Sequence, residues 1–330
     1  TSPGVTISDN KTVAAEGATG TGSISLAPTL SVNTHYYFVA YAINGIGTTL
    51  SSELNFWTLA NPPGIPTVAR SASAVDQLLV TLNAGDLSPY ANNPSSVKFA
   101  IYETSTSQYV NHTTGALQAS ADYQTADTWN PSGAAFAVTG LAAGSTYTFE
   151  VFAQNGGGTI TSASGTASAT TMGEPTLSAT PSPSASTINL TIGLNTAGDN
   201  VVVVYNLTGT FSTPSGTPPS VGGSFAGGTL LQNSTSTSLA HSSLTPGNYY
   251  YKAWSYDSNG DLYSSSGVTS SAYLAAYFYS QSSSDPSVLA NWNSNPGGGG
   301  VTPADFSGVG DTFVVQSGHT MTAAGSWTVS

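Results

Sequence analysis

The chain has 330 residues, a formal net charge of −12 and only 6% charged residues, so Ser, Thr, Gly, Ala and Asn carry its surface. Ordinary soluble domains have about a quarter of their residues charged. With only Lys11, Arg70, Lys98 and Lys252 as cations, the chain lacks the basic clusters needed to bind nucleic acid or anionic lipid, which excludes a nucleic-acid partner.

The sequence contains no cysteine, and no apolar run approaches the roughly 18–20 residues that span a bilayer, so we expect no membrane insertion. Secreted eukaryotic sandwich arrays often carry disulfides. A cysteine-free, lysine-poor chain rich in Ser, Thr and Gly therefore favours a bacterial surface protein over an intracellular one. The chain begins with Thr1 and no signal segment precedes it, which predicts a processed chain or a segment of a longer one.

Residues 1–59 are predicted to be the C-terminal half of a β-sandwich. Strands are predicted at 22–27, 36–43 and 50–58. Asn44-Gly45 is typical of the hairpin turn between the last two. The first half of such a sandwich, about 40 residues, is missing. Because a half sandwich exposes its inner faces, we expect upstream polypeptide or another chain to supply the missing strands.

Residues 60–172 and 173–275 each have the length and pattern of a complete sandwich. Strands are predicted at 77–82, 97–103, 136–139, 147–154 and 159–169 in the first, and at 187–192 and 200–205 in the second. Proline-containing linkers at 61–64 and 172–175 precede them. Within the second, the Gly/Pro/Ser-rich stretch 212–228 is expected to fold back as an ordered loop through Phe225.

Residues 276–330 change in character and are predicted to form an incomplete β-rich module. Asp285-Pro286 is typical of a helix N-cap followed by Pro, opening one short turn through Trp292. Short strands are predicted at 312–316, 319–323 and 327–329. Closely spaced strands with tight turns suit the first coil of a β-solenoid or another β module. No amphipathic helix longer than about two turns is present, which predicts an all-β protein.

One pattern recurs three times: a Leu is followed five or six residues later by a Tyr that opens an alternating apolar strand. The pairs are Leu30 and Tyr36, Leu141 and Tyr147, and Leu244 and Tyr249. In β-sandwiches such a Tyr begins strand F, with its ring buried and its hydroxyl bonded to the chain just upstream. The three tyrosines are 111 and 102 residues apart, about one sandwich length. In the third pair we choose Tyr249 over Tyr250. If Tyr250 pointed inward, the alternation would also direct the charged Lys252 into the core.

These Leu-to-Tyr segments, the glycine-rich turns that follow them and the proline linkers resemble fibronectin type III domains. Residues 6–12 (TISDNKT) and 36–59 (YYFVAYAINGIGTTLSSELNFWTL) are similar to repeats of very long surface proteins of Bacteroidota. So are 201–216 (VVVVYNLTGTFSTPSG), 249–260 (YYYKAWSYDSNG) and 310–322 (GDTFVVQSGHTMT). The resemblance implies tandem fibronectin type III-like sandwiches, export by a type IX secretion system, and a role as a cell-surface adhesin or filament.

The sequence offers one candidate metal site and no catalytic constellation. Asp257, Asn259 and Asp261 place three oxygens at alternate positions, as the start of a calcium loop does. Leu262 and Val268 stand where such a loop needs its Gly and its bidentate Glu. The alternative is a plain Asn-Gly hairpin turn. We expect no cofactor, with calcium at this turn as the alternative.

Four aromatic residues are expected on sheet faces opposite the cores: Tyr37, Tyr41, Tyr250 and Trp254. Outward rings on a strand can bind sugars or pack against a neighbouring domain or subunit. They can also form ordinary cross-strand pairs that stabilise a sheet. Packing within or between subunits is the preferred interpretation.

The sequence therefore predicts a non-enzymatic, structural or adhesive segment of an extracellular bacterial filament, stalk or giant surface adhesin. Its partners would be copies of itself or flanking domains of the same long chain, with a glycan or cell-surface molecule as a further ligand. The alternative is a non-catalytic spacer or carbohydrate-binding region of a secreted glycan-degrading enzyme. A third hypothesis is a client captured with its secretion machinery.

Overall fold

The computed structural model describes residues 2–9, 29–182, 186–308 and 310–329. The predicted strand at 22–27 lies outside these residues. The chain divides into two compact units, Thr1–Ser71 with Asp76–Thr171, and Ala72–Val75 with Met172–Ser330. Below, residues 29–59 are called the N-terminal module, 60–171 the first sandwich, 172–275 the second sandwich and 276–329 the C-terminal module.

The N-terminal module contains two separate strand pairs. Its strands are β1 (His35–Phe38), β2 (Tyr41–Ile43), β3 (Thr48–Leu50) and β4 (Leu54–Trp57). β1 pairs antiparallel with β4, and β2 with β3 around the Asn44 turn. The prediction of two continuous strands is wrong because the register shifts by one residue between these pairs. Ser51 fills the shift by accepting the Ala40 N–H on its Oγ.

The first sandwich packs a three-stranded sheet against a larger one. Its elements are β5 (Thr67–Arg70), β6 (Leu78–Thr81), β7 (Lys98–Glu103), β8 (Gln108–Val110), β9 (Leu117–Gln118), β10 (Gln124–Thr125), α1 (Ala126–Trp129), a 3₁₀ turn (Pro131–Gly133), β11 (Phe136–Val138), β12 (Thr146–Gln154) and β13 (Ala167–Thr170). One sheet has the order β11-β6-β5 and the other β13-β12-β7-β8-β9, with β10 also on β7.

Alternation along the strands fills the first sandwich. In β12, Tyr147, Phe149, Val151 and Ala153 point inward and are buried, whereas the residues between them are half-buried. They meet apolar residues of β6 and β7 and the fully buried Trp129. The predicted strand at 159–169 is wrong for 161–166. There Ser164 replaces regular pairing by accepting the Val151 N–H on its Oγ.

The second sandwich repeats this architecture. Its strands are β14 (Thr176–Pro181), β15 (Ile188–Gly193), β16 (Asn200–Asn206), β17 (Ser224–Phe225), β18 (Gly228–Ser234), β19 (Ser238–His241), β20 (Gly247–Asp257), β21 (Leu262–Tyr263) and β22 (Val268–Leu274). The sheets have the orders β14-β15-β19 and β17-β18-β16-β20-β21, with β22 also on β20. Tyr249, Tyr251 and Ala253 of β20 lie in the core between the two sheets.

A second apolar layer covers the outer face of the larger sheet in the second sandwich. Val202, Val204 and Trp254 point away from the main core and are fully buried. Phe211 and Phe225, from the loop between β16 and β18, pack onto them. The stretch 212–228 is therefore an ordered cover for this sheet.

The C-terminal module is a small sheet around an aromatic cluster. Its elements are β23 (Tyr277–Ser280), a 3₁₀ turn (Leu289–Asn291), β24 (Trp292–Asn293) and β25 (Thr312–Val314). β23 pairs antiparallel with β24 and parallel with β25. The predicted helical turn is shorter and begins later than expected, as the 3₁₀ turn at Leu289–Asn291, and Asp285 closes a separate turn before it by accepting the N–H of Ser287 at 2.9 Å.

The predicted strands at 319–323 and 327–329 are absent from this module. The backbone of 320–324 bonds to the segment 283–285 instead, partly through side chains, so no regular ladder forms. The fold prediction is confirmed at the level of architecture: the protein is all-β, with two β-sandwiches in tandem followed by a further β module. The four predicted domain boundaries stay a prediction.

Candidate functional site

The most elaborate polar structure in the first compact unit is the joint between the N-terminal module and the first sandwich. The linker Asn61–Gly64 (NPPG) is hydrogen-bonded at both ends to the loop between β6 and β7. Asn61 N–H donates to Asn93 Oδ1 at 2.8 Å, and Gly64 N–H donates to Asp86 Oδ2 at 2.8 Å. The two prolines between them have fixed φ angles, so the whole linker is held in one conformation.

A buried carboxylate accepts hydrogen bonds from both the linker and the loop of this joint. Asp86 is only 1% exposed, and its Oδ1 accepts the side-chain amides of Asn92 at 2.8 Å and Asn93 at 2.9 Å. Asn92 and Asn93 also donate to the Pro62 and Asn61 carbonyls, so each bridges the carboxylate and the linker. A buried carboxylate requires such donors because it has lost its hydration.

A second set of contacts joins the N-terminal module to the turn after β12. Asn33 Oδ1 accepts the N–H of Gly156 at 2.7 Å, and Asn155 Nδ2 donates to the Thr58 carbonyl at 2.9 Å. The Trp57 ring lies against Gly156 and Gly157. A Cβ on Gly156 would come within 2.4 Å of that ring, so only glycine allows this contact. Together with the linker bonds, it fixes the module against the first sandwich.

The second compact unit contains a comparable joint between the second sandwich and the C-terminal module. Only Ala275 and Ala276 separate β22 from β23. Asp311 Oδ1 accepts the Tyr273 hydroxyl and the Ala276 N–H, both at 2.8 Å. Burial, reinforced by the bond to Asp311, raises the pKa of Tyr273 to about 12. The tyrosine therefore remains a neutral donor to Asp311 at physiological pH.

All three tyrosines of the Leu-to-Tyr pattern bond to the chain upstream of their strand. Tyr36 accepts the N–H of Ser31 at 2.9 Å, and Tyr147 accepts that of Ala142 at 2.9 Å. Tyr249 differs, because its hydroxyl donates to the carbonyl of Thr245 at 2.9 Å. Of the associated leucines, Leu141 is buried in the core, whereas Leu30 and Leu244 are half-buried.

The N-terminal module has an apolar face that the described residues leave largely uncovered. Tyr36 is paired with Phe56, and Phe38 with Leu54, so all four side chains lie on one face of β1 and β4. Phe38 is 42%, Leu54 57% and Phe56 37% exposed. Tyr147 and Phe149, at the matching positions of the first sandwich, are buried. This face thus has the composition of a sandwich interior, but the described residues provide no second sheet to cover it.

The four aromatics expected on outer faces have different environments. Tyr37, Tyr41 and Tyr250 are half-buried, and Tyr37 contacts His35, with ring centroids 4.3 Å apart. Trp254 lies on the face opposite the core, as expected, but the expectation that its ring is exposed there is wrong, because it is only 1% exposed. The loop between β16 and β18 contributes to the layer that covers it, and the Lys252 ammonium lies 5.1 Å from its ring centroid.

The candidate calcium residues use their oxygens within the protein. Asp261 Oδ1 accepts the Tyr256 hydroxyl at 2.6 Å, and its Oδ2 accepts the Thr217 hydroxyl at 2.8 Å. Asp257 Oδ1 accepts the backbone N–H of Asn259 at 2.8 Å, as in an Asx turn. Burial, with the Asp261 bond, raises the pKa of Tyr256 to about 12. The loop is organised as a turn, and calcium at this turn stays a prediction.

Each of the four histidines lies in a different module. His35 stacks on Trp57 with ring centroids 4.8 Å apart, and His112 lies 5.8 Å from Phe136. His241 Nδ1 is 3.0 Å from the Tyr251 hydroxyl, and burial lowers its pKa. His319 Nδ1 is 2.7 Å from Ser280 Oγ. Each histidine thus has a packing or hydrogen-bonding partner.

Among the residues that the structure describes, no three His, Cys, Asp or Glu side chains are placed to hold a metal ion. Over the same ranges, no helix has the length and apolar character needed to cross a membrane. A depression of about 500 Å³ lies beside Tyr263 and is lined by 213–216 and 260–265. The Tyr263 hydroxyl donates to the Gly216 carbonyl at 2.6 Å, which closes the two loops on each other.

The joint residues Asp86, Asn92, Asn93 and Asn33 were not identified from the sequence. Asn and Asp in a loop are ordinary turn residues, and their roles in the joint depend on partners 22 or more positions away. One signal was available: the proline linker implied a stiff connection. It did not indicate which loop the linker binds.

Comparisons with known proteins gave matches only among solved structures. No family model matches the chain, and no curated protein does. The chicken CNTN1 FN1-FN3 domains are 15% identical, covering 74% of this chain and 77% of that one, with a TM-score of 0.29. Domains d3-d4 of the rat CD45 extracellular region are 20% identical, covering 50% and 77%, with a TM-score of 0.28. A two-domain fibronectin type III segment of chicken tenascin is 14% identical, covering 64% and 99%, with a TM-score of 0.24.

Proposed function

We propose that this chain is a structural segment of an extracellular bacterial filament, stalk or giant surface adhesin. It holds neighbouring modules at fixed distances and performs no catalysis. The observation that carries this proposal is the hydrogen-bonded joint around Asp86, where linker, loop and N-terminal module are locked together. A chain whose modules only needed to be tethered would require no such joint.

The composition supports an extracellular role. A surface of hydroxyl and amide groups with 6% charged residues gives little electrostatic attraction between neighbouring copies. The sequence without cysteine and its resemblance to type IX-secreted surface proteins of Bacteroidota support a proposed location on the bacterial cell surface.

The proposed partners are further modules of the same kind, in the same long chain or in another copy. The face formed by Tyr36, Phe38, Leu54 and Phe56 supports this proposal. In the first sandwich, β7 pairs with the edge of β12 in the same sheet, and the three-stranded sheet packs on the face that carries Tyr147 and Phe149. A strand like β7, with its alternating apolar residues, is the kind of segment that the N-terminal module would accept.

The stiffness of the joint can be measured on the full chain. Because the sequence lacks cysteine, spin labels can be attached at Thr49→Cys and Ala119→Cys, both at exposed positions. Double electron–electron resonance should show one narrow distribution of the distance between the two labels. Gly156→Ala should broaden it, because the new methyl group displaces Trp57. Gly45→Ala is the matched control, since a Cβ there meets no atom within 4 Å. A broad distribution in the unmodified background would refute a spacing role.

Location is tested separately, by immunogold electron microscopy of cells that produce the protein. We expect gold particles outside the outer surface, at a constant distance from it. Label confined to the cell interior would contradict the extracellular assignment without affecting the joint measurement.

The second candidate is a carbohydrate-binding region of a secreted glycan-degrading enzyme. It is favoured by one observation, the cluster of Tyr102, Tyr109 and Phe152 on the outer face of the first sandwich, with centroids 4.8–6.4 Å apart. These rings are inclined to each other by 53–77°, so they pack against one another more than they form a flat platform. Retention of the full chain on polysaccharide affinity gels, lost in Tyr102→Ala, would favour this candidate.

A further inference from the structure

The C-terminal module contains an internal repeat with an offset of 35 residues. In the parallel β23–β25 ladder, Tyr277 pairs with Thr312, so partners lie 35 positions apart. The sequence repeats four residues at the same offset: Phe278 as Phe313, Gln281 as Gln316, Ser282 as Ser317 and Trp292 as Trp327. A pairing offset that equals the sequence offset is typical of stacked rungs in a β-solenoid.

The repeated aromatic residues stack on each other. The ring centroids of Phe278 and Phe313 are 5.3 Å apart, with planes inclined by 24°. Those of Trp292 and Trp327 are 5.7 Å apart and inclined by 18°. Neighbouring strands of a sheet are about 4.8 Å apart, so these distances are those of like residues in successive rungs. Two aromatic ladders therefore start in this module.

The second rung follows the first beyond the short strand β25. Gln316 N–H donates to Ser280 Oγ and Thr320 N–H to Ser283 Oγ, both at 2.9 Å. Thr322 N–H donates to the Ser284 carbonyl at 3.0 Å. The segment 312–322 therefore runs alongside 276–284 in the same direction.

The two edges of this sheet are different. On one side of β23 lies β24, which is antiparallel and closes that edge. On the other side lies β25, which has no further partner strand among the described residues. Because Thr312 directs its N–H to the Ala276 carbonyl, the amides of Phe313 and Val315 point away from β23. The module is thus closed at its first rung and open at its second.

The burial of the ladder residues reflects this asymmetry. Phe278 and Trp292 in the first rung are 6% and 0% exposed, whereas Phe313 and Trp327 in the second are half-buried. Trp292 Nε1 donates to the Pro286 carbonyl at 2.9 Å. The equivalent Nε1 of Trp327 is buried but has no acceptor in the described part of the chain. Buried donors in native proteins nearly always have a partner, so the surroundings of the second rung are incomplete.

We propose that residues 276–329 form the first two rungs of a parallel β-solenoid and that the open edge of β25 binds a third rung. The occupant is a strand parallel to β25. It carries one aromatic residue that stacks on Phe313 and a second, 14 positions later, that stacks on Trp327. Backbone bonds to the amides of Phe313 and Val315 would hold it, as in β-strand addition. This surface goes beyond the proposed spacing role, since it assigns a partner to one edge.

The test is to append a third rung to the full chain, using a second copy of residues 296–330 after Ser330, which keeps the 35-residue offset. We expect hydrogen exchange at the Phe313 and Val315 amides to slow by about tenfold or more, as for newly formed ladder bonds. The indole N–H of Trp327 should become protected as well. The control extension has the same length and sequence, except that Ser replaces the residue copied from Phe313.

Three results would overturn the proposal. Exchange at Phe313 and Val315 could be unchanged, it could slow equally with the control extension, or the extension could break the Phe278–Phe313 contact. A fourth contrary result is protection of these amides in the unextended chain that rises with protein concentration. That result would assign the edge to antiparallel self-pairing of two β25 strands. In every variant the buried Trp129 reports that the first sandwich is folded, and the buried Trp254 reports that the second sandwich is folded.

Discussion

Asn93 donates its side-chain amide to Asp86 at 2.9 Å, and the pair lies beneath the linker that joins the N-terminal module to the first sandwich. Each member also bonds the linker, Asn93 through the Asn61 N–H and Asp86 through the Gly64 N–H. The carboxylate therefore serves the loop and the linker together. Loss of its charge should loosen both.

Asp86→Asn should destabilise the first sandwich by about 1–3 kcal/mol, because one of its three donors would then face an NH₂ group. Urea unfolding can be followed by fluorine NMR of the protein labelled with 5-fluorotryptophan. The signal of Trp129 reports on the first sandwich alone. Asp127→Asn is the control, since Asp127 is exposed and accepts only the Tyr90 hydroxyl in the first sandwich. Equal midpoints for the two variants would show that the Asp86 network contributes nothing.

The tyrosine corners allow a comparison of the same substitution in two environments. Tyr147→Phe leaves the Ala142 N–H without its acceptor beside a filled core, and should cost about 1–3 kcal/mol. Tyr36→Phe removes the equivalent bond to Ser31, but water can replace the hydroxyl in the half-buried N-terminal module, so its effect should be smaller. Hydrogen exchange of the Ala142 and Ser31 amides measures both. A larger effect at Tyr36 would contradict this account.

The sequence was sufficient for these corners because the Leu-to-Tyr spacing is local and the strand alternation is regular. The same reasoning predicted the inward positions of β20 from the placement of Lys252. It was insufficient wherever a side chain interrupts the ladder. Ser51 and Ser164 accept backbone amides that a regular strand would pair, and nothing in a Ser-rich sequence marks these two.

The surface prediction was wrong at Trp254 for a different reason. Alternation places Trp254 opposite the core correctly, but it says nothing about what covers that face. The cover is a distant loop, 207–227, and its Phe211 and Phe225 pack onto the sheet. The candidate site was missed for a related reason, because the residues around Asp86 bond to a linker more than 20 positions away.

Glu103 gives the first sandwich a dependence on pH. Burial would raise the pKa of this carboxyl, but the hydrogen bonds from Ser105, Thr106 and the Thr148 N–H together hold it below its ordinary value of 4.5. Since the folded pKa is lower than the unfolded one, the carboxylate stabilises the fold above pH 4.5. That contribution is lost as the pH falls through the folded value.

Glu103→Gln should therefore lower the stability of the first sandwich at pH 7 by about 1–3 kcal/mol, and it should flatten the decline below pH 4.5. The Trp129 fluorine signal gives the urea midpoint at each pH. Glu150→Gln is the control, because Glu150 is paired with Tyr102 on the outer face of the same sheet. A decline in acid that is as steep in Glu103→Gln as in the unmodified chain would refute this assignment.

The covered outer face of the second sandwich predicts unequal effects for two neighbouring aromatics. Trp254→Ala removes a fully buried ring from a packed layer and should cost about 3–5 kcal/mol. Tyr250→Ala, on the same strand and face, removes a half-buried ring and should cost about 1 kcal/mol. Hydrogen exchange of β16 and β20 measures both, and Trp254→Phe should recover most of the loss because it refills much of the cavity. If Trp254→Ala left hydrogen exchange in β16 and β20 unchanged, burial of this ring beneath the loop would contribute nothing to stability. That result would contradict the packing role and would instead suit a binding residue on an open surface.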